Sequence, residues 1–203
     1  MEDKTRFTRR TVQELSGGCD VKILAFGDSI TAGFAVRHGF PHFWKQMLAD
    51  KYPEARIKMI NAGTSGDTTL DGLSKLDWSV LSHNPDLITV NFGINDCFMG
   101  ISVEEFRSNF REIAEKIIAN KSELLLLSSQ PLETPGYDKL VLPYYQAVGE
   151  IARELDVGFV DVYKAWVDRV DKGTSLGSLI IPGLDHPNEE GYEIIAEELI
   201  KFF

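Results

Sequence analysis

The sequence predicts an α/β fold, in which a parallel β-sheet of about five strands lies between two layers of helices. Short apolar runs with the length of buried strands alternate with longer stretches whose apolar residues recur at helical spacing. The alternation continues along the chain without internal repeats or low-complexity segments, and this pattern is typical of parallel sheets connected by helices. Because the crossover connections are right-handed, they favour a three-layer, flavodoxin-like arrangement.

The predicted strands are apolar runs that end at turn-forming residues. They span residues 23–26, 57–60, 87–92, 124–127 and 157–160. The fourth run consists entirely of leucine, as expected for a central strand that is covered on both faces.

Helices are predicted between these strands, near 40–51, around Leu70, from Ser102, over 142–155 and 163–170, and after Asn188. Ser102 and Glu105 form a capping-box pattern, and Asn188 is a residue type that begins helices. The stretch 131–135 is expected to be a loop, as is 173–183, which contains an apolar patch at 179–181.

The chain of 203 residues is long enough to bury a full core, and we predict an N-terminal arm over 1–21 followed by one domain over 22–203. The net charge of −10 disfavours nucleic acid and anionic membrane as partners, since both are bound through Lys and Arg. The N-terminus is charged and lacks the apolar core of a signal peptide. No apolar run approaches the length of a membrane span. A cytoplasmic protein without membrane insertion is therefore expected.

Polar and glycine residues follow three successive predicted strands, and a fourth polar cluster precedes the last helix. The clusters are Gly27-Asp28-Ser29, Ser65-Gly66-Asp67, Gly93-Ile94-Asn95-Asp96 and Asp185-His186-Pro187-Asn188. Because the carboxyl ends of parallel strands share one edge of the sheet, these clusters are expected to converge.

The converging residue types are those that ester hydrolysis requires: a nucleophile, a base and donors for an oxyanion. Ser29 supplies a hydroxyl and His186 an imidazole. The backbone N–H groups of Ser29 and Gly66 and the side-chain amide of Asn95 are candidate donors. Asp28 and Asp96 are expected to bind loop backbone rather than to take part in the chemistry.

In their order, the segments Gly27-Asp28-Ser29-Ile30, Gly66, Gly93-x-Asn95-Asp96 and His186-Pro187-Asn188 resemble the four sequence blocks of the SGNH (GDSL-like) hydrolases. The resemblance extends from about Lys22 to the C-terminus. It implies an α/β/α esterase with Ser29 as nucleophile, His186 as base, and Ser29, Gly66 and Asn95 as the oxyanion hole. It implies no cofactor, and no metal site is predicted.

The last block departs from the family pattern, which places an Asp three residues before the histidine, where this chain has Gly183. Three alternatives follow for the group that orients His186. Asp185 could turn to the imidazole, a carboxylate elsewhere could do so, or a main-chain carbonyl near Gly183 could orient His186 in a Ser–His dyad. The adjacent Asp185 is the tentative catalytic acid.

Two main classes of function fit these residues, and a phosphate-binding, flavodoxin-type cofactor protein is a third alternative. The first is a serine esterase that hydrolyses small acyl esters, with acetyl as the expected acyl group and an acetylated carbohydrate as one substrate class; the stretch 61–69 also resembles lysophospholipase/thioesterase-type acyl hydrolases. The second is a non-catalytic ligand-binding module that retains the fold, which Gly183 in place of the usual Asp leaves open.

Overall fold

A computed structural model describes residues 3–134 and 136–203. Within these ranges the chain forms a five-stranded parallel sheet with the strand order β2-β1-β3-β4-β5. The strands are β1 (Asp20–Gly27), β2 (Arg56–Gly63), β3 (Leu87–Asn91), β4 (Glu123–Leu127) and β5 (Gly158–Val160). The sheet confirms the predicted three-layer architecture, and each strand lies at a predicted apolar run.

Helices cover both faces of the sheet. They are α1 (Arg9–Ser16), α2 (Ser29–Ala32), α3 (Phe40–Lys51), α4 (Thr69–Ser79), α5 (Ile94–Phe98), α6 (Val103–Ala119), α7 (Tyr137–Glu154), α8 (Val162–Asp171) and α9 (Glu189–Ile200). Side chains of β1 alternate between the two layers: Ile23 packs with the aromatic residues of α3, α8 and α9, while Leu24 and Phe26 pack with those of α6 and α7. No helix in the described ranges is both long and apolar enough to cross a membrane.

The helix starts follow the predicted capping residues. Ser102 accepts a hydrogen bond from the Glu105 N–H, and Asn188 accepts one from the Gly191 N–H. Thr68 and Asp71 form a reciprocal capping box at the start of α4. Such caps satisfy N–H groups that have no partner within the helix.

Two parts of the chain differ from the predicted elements. Helix α7 begins at Tyr137 rather than at 142, and it contains Pro143. The carbonyl four residues earlier belongs to exposed Lys139, so water can replace the helix bond that proline cannot make. The predicted loop over 173–183 contains β6 (Ile180–Ile181), which pairs antiparallel with β7 (His186–Pro187).

The N-terminal segment is helical and packs against the sheet. The Thr8 hydroxyl donates to the Phe202 carbonyl, and the Arg10 guanidinium donates to the carbonyls of Asp86 and Lys121 at 2.8 Å. Leu15 is buried in the core. The division into an arm (1–21) and a domain (22–203) stays a prediction.

The end of β1 lies close to its neighbours, which require glycine there. Gly27 is in register with Gly63 of β2 and Asn91 of β3. A Cβ atom at Gly63 would lie 2.3 Å from the Ala32 nitrogen, and one at Gly27 would lie 2.3 Å from the Asn91 carbonyl oxygen. Helix α2 can therefore sit directly on the sheet only because these two side chains are absent.

We expect Gly63→Ala to lower the free energy of unfolding by about 1–3 kcal/mol, since the added methyl group overlaps the backbone of α2. Urea denaturation measures this difference. Gly17→Ala is the matched control, because its Cβ would come no closer than 3.4 Å to the Gln13 carbonyl oxygen. This variant should stay within about 0.5 kcal/mol of wild type. Equal stability of the two variants would contradict the packing argument.

Candidate active site

Ser29 is placed at the carboxyl edge of the sheet by the abrupt change from β1 to α2. Asp28 is the N-cap residue of α2, and its carboxylate accepts a hydrogen bond from the Ile30 N–H at 2.9 Å. Ser29 follows as the first helical residue, and α2 ends at Gly33, which has a φ of 78°. A left-handed residue is common at the end of a helix, and here it ends the helix after a single turn.

The Ser29 hydroxyl and the His186 imidazole are in direct contact. Ser29 Oγ lies 2.8 Å from His186 Nε2, and His186 Nδ1 lies 2.6 Å from the carbonyl oxygen of Leu184. A carbonyl can only accept a hydrogen bond, so Nδ1 carries the proton and Nε2 is left to accept from the serine. The two contacts thus form a hydroxyl–imidazole–carbonyl chain with the tautomer that a general base needs.

The hairpin of β6 and β7 holds His186 in this position. His186 pairs with Ile181 across the hairpin, and the intervening turn contains Gly183 and Asp185 with φ values of 76° and 51°. This turn brings the Leu184 carbonyl back towards the imidazole two residues later. The sequence alternative of a main-chain carbonyl near Gly183 therefore matches the geometry.

The Asp185 carboxylate points away from the imidazole. It accepts hydrogen bonds from the Glu133 N–H at 2.6 Å and the Thr134 N–H at 3.1 Å, and the Thr134 hydroxyl donates to it at 2.6 Å. This corrects the expectation that Asp185 could turn to His186. Neighbouring side chains diverge, and these three donors satisfy the carboxylate instead. We call the segment that supplies them, Glu133 and Thr134, the 130s loop.

The remaining predicted residues lie on the loops that follow β2 and β3. Gly66 has a φ of 87°, and nothing lies within 4 Å of where its Cβ would be, so the space next to its Cα is open. The Thr64 N–H donates to the Gly27 carbonyl at 3.0 Å, which ties this loop to the end of β1. The side-chain amide of Asn95 donates one hydrogen to the Asp67 carbonyl at 2.8 Å. Its second amide hydrogen is available for an oxyanion.

Two buried carboxyl groups support these loops, as the sequence predicted. Asp96 is fully buried and accepts hydrogen bonds from the backbone N–H and the hydroxyl of Thr69. Asp28 is 1% exposed. Burial raises the pKa of Asp28 to about 7; the Ile30 hydrogen bond opposes the rise, and nearby Asp96 adds to it. Burial also raises the pKa of Asp96, against the two Thr69 bonds.

Sequence reasoning missed one contributor to the site, Lys75, which binds the loop after β2. It gave a main-chain carbonyl near Gly183 only as one of three alternatives, and it did not place the Phe34 ring, whose centroid lies 5.0 Å from that of His186, against the histidine. Nothing near Lys75 marks it as part of a motif. The structure shows no cluster of three or more His, Cys, Asp or Glu suited to a metal ion within 3–134 and 136–203.

Comparison with protein families identifies the class. The model of the GDSL-like lipase/acylhydrolase family matches residues 25–194, which include all the candidate site residues. The chain belongs to this family, and the resemblance to SGNH hydrolases is confirmed.

Relatives and solved structures agree with the family. The thioesterase 1/protease 1/lysophospholipase L1 of Escherichia coli is 26% identical over 88% of this chain and 81% of its own. An arylesterase of Vibrio mimicus is 27% identical over 89% of this chain and 88% of its own. The crystal structure of Axe2, an acetylxylan esterase from Geobacillus stearothermophilus, matches with a TM-score of 0.78 at 24% identity, over 90% of this chain and 93% of that one. The chain is a carboxylic ester hydrolase with the SGNH hydrolase fold.

Asp185→Asn should keep activity within about threefold of wild type, because an amide oxygen still accepts from the 130s loop. Asp185→Ala should lose about tenfold as the turn carrying Leu184 loosens. An acid that orients the histidine would behave differently, since its Asn variant traps the wrong tautomer and costs about 10⁴-fold. Measuring kcat/KM of both variants on one ester decides between the roles, and a collapse of the Asn variant would restore Asp185 as the acid.

Asp28→Asn should remove the loss of folding stability that Asp28 causes in wild type as the pH increases. The Asp28 pKa rises from 3.8 to about 7 on folding, so between these values the folded protein binds the extra proton and its stability falls as pH increases. The difference in unfolding free energy between variant and wild type should shift in favour of Asn by about 4 kcal/mol from pH 4 to pH 8. Urea denaturation of both proteins at pH 4 and pH 8 tests this. An equal change in the free energy of unfolding of the two proteins between these pH values would refute it.

Proposed function

We propose that the protein is a serine esterase that hydrolyses short-chain acyl esters, with acetyl as the preferred acyl group, through an acyl-enzyme on Ser29. The observation that carries the proposal is the 2.8 Å contact between Ser29 Oγ and His186 Nε2. The Leu184 carbonyl holds the same imidazole in the accepting tautomer. A hydroxyl next to an oriented base is the arrangement that activates a serine nucleophile.

In the first half-reaction, Ser29 Oγ attacks the ester carbonyl while its proton passes to His186 Nε2. The resulting oxyanion accepts from the Ser29 N–H, the Gly66 N–H and the free amide hydrogen of Asn95. Collapse of this intermediate breaks the bond to the alcohol, which leaves with the proton from His186. Water then repeats the sequence: it loses a proton to His186, attacks the acyl-enzyme, and releases the acid and the free serine.

The Leu184 carbonyl stabilises the imidazolium of this mechanism as a dipole rather than as a charge. A carboxylate in its place would add a full negative charge next to the cation that forms during attack. We therefore expect a working enzyme whose turnover is below that of a triad on the same fold.

The acyl and alcohol groups are proposed from the relatives. The acetylxylan esterase of Geobacillus stearothermophilus is 24% identical over 91% of this chain, which supports an acetyl ester and an acetylated carbohydrate as the substrate class. The cytoplasmic location expected from the sequence belongs to the same proposal.

A longer acyl group is the second candidate, and one observation favours it. The large hydrophobic side chains that remain exposed include several on the loops and helix ends that follow the strands: Phe34, Phe98, Met99, Tyr137 and Leu184. The Phe98 and Tyr137 rings contact each other with centroids 4.9 Å apart. Exposed apolar surface of this kind often marks a ligand site, and it fits the acyl hydrolase activities named for the Escherichia coli relative.

Hydrolysis of p-nitrophenyl esters from acetate to decanoate tests both candidates. Ser29→Ala and His186→Ala should each lower kcat by about 10⁴-fold or more on every ester, since they remove the nucleophile and the base. The rank of kcat/KM against chain length then separates the acetyl candidate from the longer-chain one.

Labelling of Ser29 by a fluorophosphonate is the control for covalent chemistry. Wild type should label and Ser29→Ala should not. A wild-type protein that neither hydrolyses any ester nor takes the label would favour the non-catalytic binding module.

A further inference from the structure

Lys75 stands out because its side chain is largely buried next to the candidate site, although no step of the mechanism uses it. Its side chain is 12% exposed and forms an ion pair with Asp67, whose side chain is 14% exposed. Its Nζ also donates to the Thr64 hydroxyl at 2.6 Å. Burial lowers the pKa of Lys75, which is the usual cost of taking an ammonium group out of water. The Lys75 ammonium group thus contacts the Asp67 carboxylate and the Thr64 hydroxyl at the same time.

The two partners of Lys75 enclose the loop that contains Gly66. The Asp67 N–H donates to the Thr64 carbonyl at 3.2 Å, so residues 64–67 form a turn with Gly66 at its exposed side. Lys75 lies on α4, and side chains on a helix lean towards its N-terminus, which directs the ammonium group back to this turn. The cation thus joins the first and last residues of the turn.

The same turn also holds Asn95. The Asp67 main-chain carbonyl accepts one hydrogen of the Asn95 amide at 2.8 Å, while the Asp67 carboxylate binds Lys75. Movement of Asp67 would therefore displace the Gly66 N–H and rotate the Asn95 amide together.

We propose that Lys75 is a positioning residue for the oxyanion hole: by clamping Thr64 and Asp67, it holds the Gly66 N–H and the Asn95 amide in the geometry that receives the oxyanion. The inference rests on the proposed function, because it assigns Lys75 a role in that same reaction. Oxyanion donors act only when they are already in place as the charge develops. Loss of the clamp should consequently slow the chemical step and leave ground-state binding nearly unchanged.

Steady-state kinetics on p-nitrophenyl acetate with Lys75→Met, Lys75→Arg and Asp67→Asn test the clamp. Lys75→Met and Asp67→Asn should lower kcat by about tenfold to 100-fold, below the roughly 10²–10³-fold cost of deleting a donor outright, with KM within threefold. Lys75→Arg keeps the cation and should recover most of the loss. Lys164→Met is the matched control, since Lys164 pairs with Asp168 at 2.7 Å on the exposed face of α8, and it should equal wild type.

A double-mutant cycle with Asn95→Ala separates positioning from general stability. If Lys75 acts through Asp67 on the Asn95 amide, Lys75→Met should cost less in the Asn95→Ala background than in wild type. The rate of fluorophosphonate labelling should fall in parallel with kcat, since the phosphonyl oxygen occupies the same donors.

Three results would overturn the inference: wild-type kcat in Lys75→Met, full additivity with Asn95→Ala, or equal losses in Lys75→Arg and Lys75→Met. Circular dichroism establishes that each variant is folded, and if Lys75→Met unfolds, wild-type kcat in Asp67→Asn overturns the clamp on its own. An inactive, unlabelled wild type would instead overturn the proposed function and this inference with it.

Discussion

The close approach of β1 to β2 and β3 at their carboxyl ends is the constraint on which the candidate site depends. Gly27 lies in register with Gly63 on one side and Asn91 on the other, and neither glycine could carry a side chain without overlapping backbone. The loops that follow β1, β2 and β3 therefore begin at the same edge of the sheet, after strand residues that are in register. Because β1 and β3 are buried in the middle of the sheet, they form a closely packed frame, and each loop needs only a few local hydrogen bonds to fix its polar group.

The group that orients His186 shows how a local departure in sequence is accommodated. A turn with two left-handed residues returns the Leu184 carbonyl to Nδ1, so the imidazole has the required tautomer without a carboxylate. The adjacent Asp185 is satisfied by three donors of the 130s loop, and it fixes the turn that presents the carbonyl. The carboxylate thus contributes through the backbone and not through the imidazole. A main-chain dipole therefore lies next to Nδ1 where a triad would have the full charge of a carboxylate.

Much of this fold could be predicted from the sequence because buried strands and capped helices leave strong local patterns. The run 124–127 and the cap at Ser102 are examples in which a few neighbouring residues decide the element. The short hairpin of Ile180–Ile181 with His186–Pro187 was not predictable in the same way, since two-residue strands have no periodicity and depend on tertiary contacts. At the site, Ser29 and His186 belong to motifs and were predicted, and the structure brings them together. A main-chain carbonyl near Gly183 was one of three alternatives, and the sequence could not choose among them because a carbonyl has no residue identity. The role of the Lys75 ammonium group could not be predicted, because its partners Thr64 and Asp67 precede it by several residues and lie outside its helix.

Four aspartates show a common principle in how the candidate site is supported. Each is adjacent in sequence to a proposed functional residue, in the pairs Asp28–Ser29, Asp67–Gly66, Asp96–Asn95 and Asp185–His186. Adjacent side chains point in different directions, so a residue that faces the site leaves its neighbour facing the protein. In each case the carboxylate binds a group of the fold: the N-terminus of α2, Lys75, Thr69 or the 130s loop. The polar groups of the candidate site are thereby held by hydrogen bonds to carboxyl groups one residue away. These carboxyl groups thus contact the fold, and the contact with the Ser29 hydroxyl is made by the His186 imidazole.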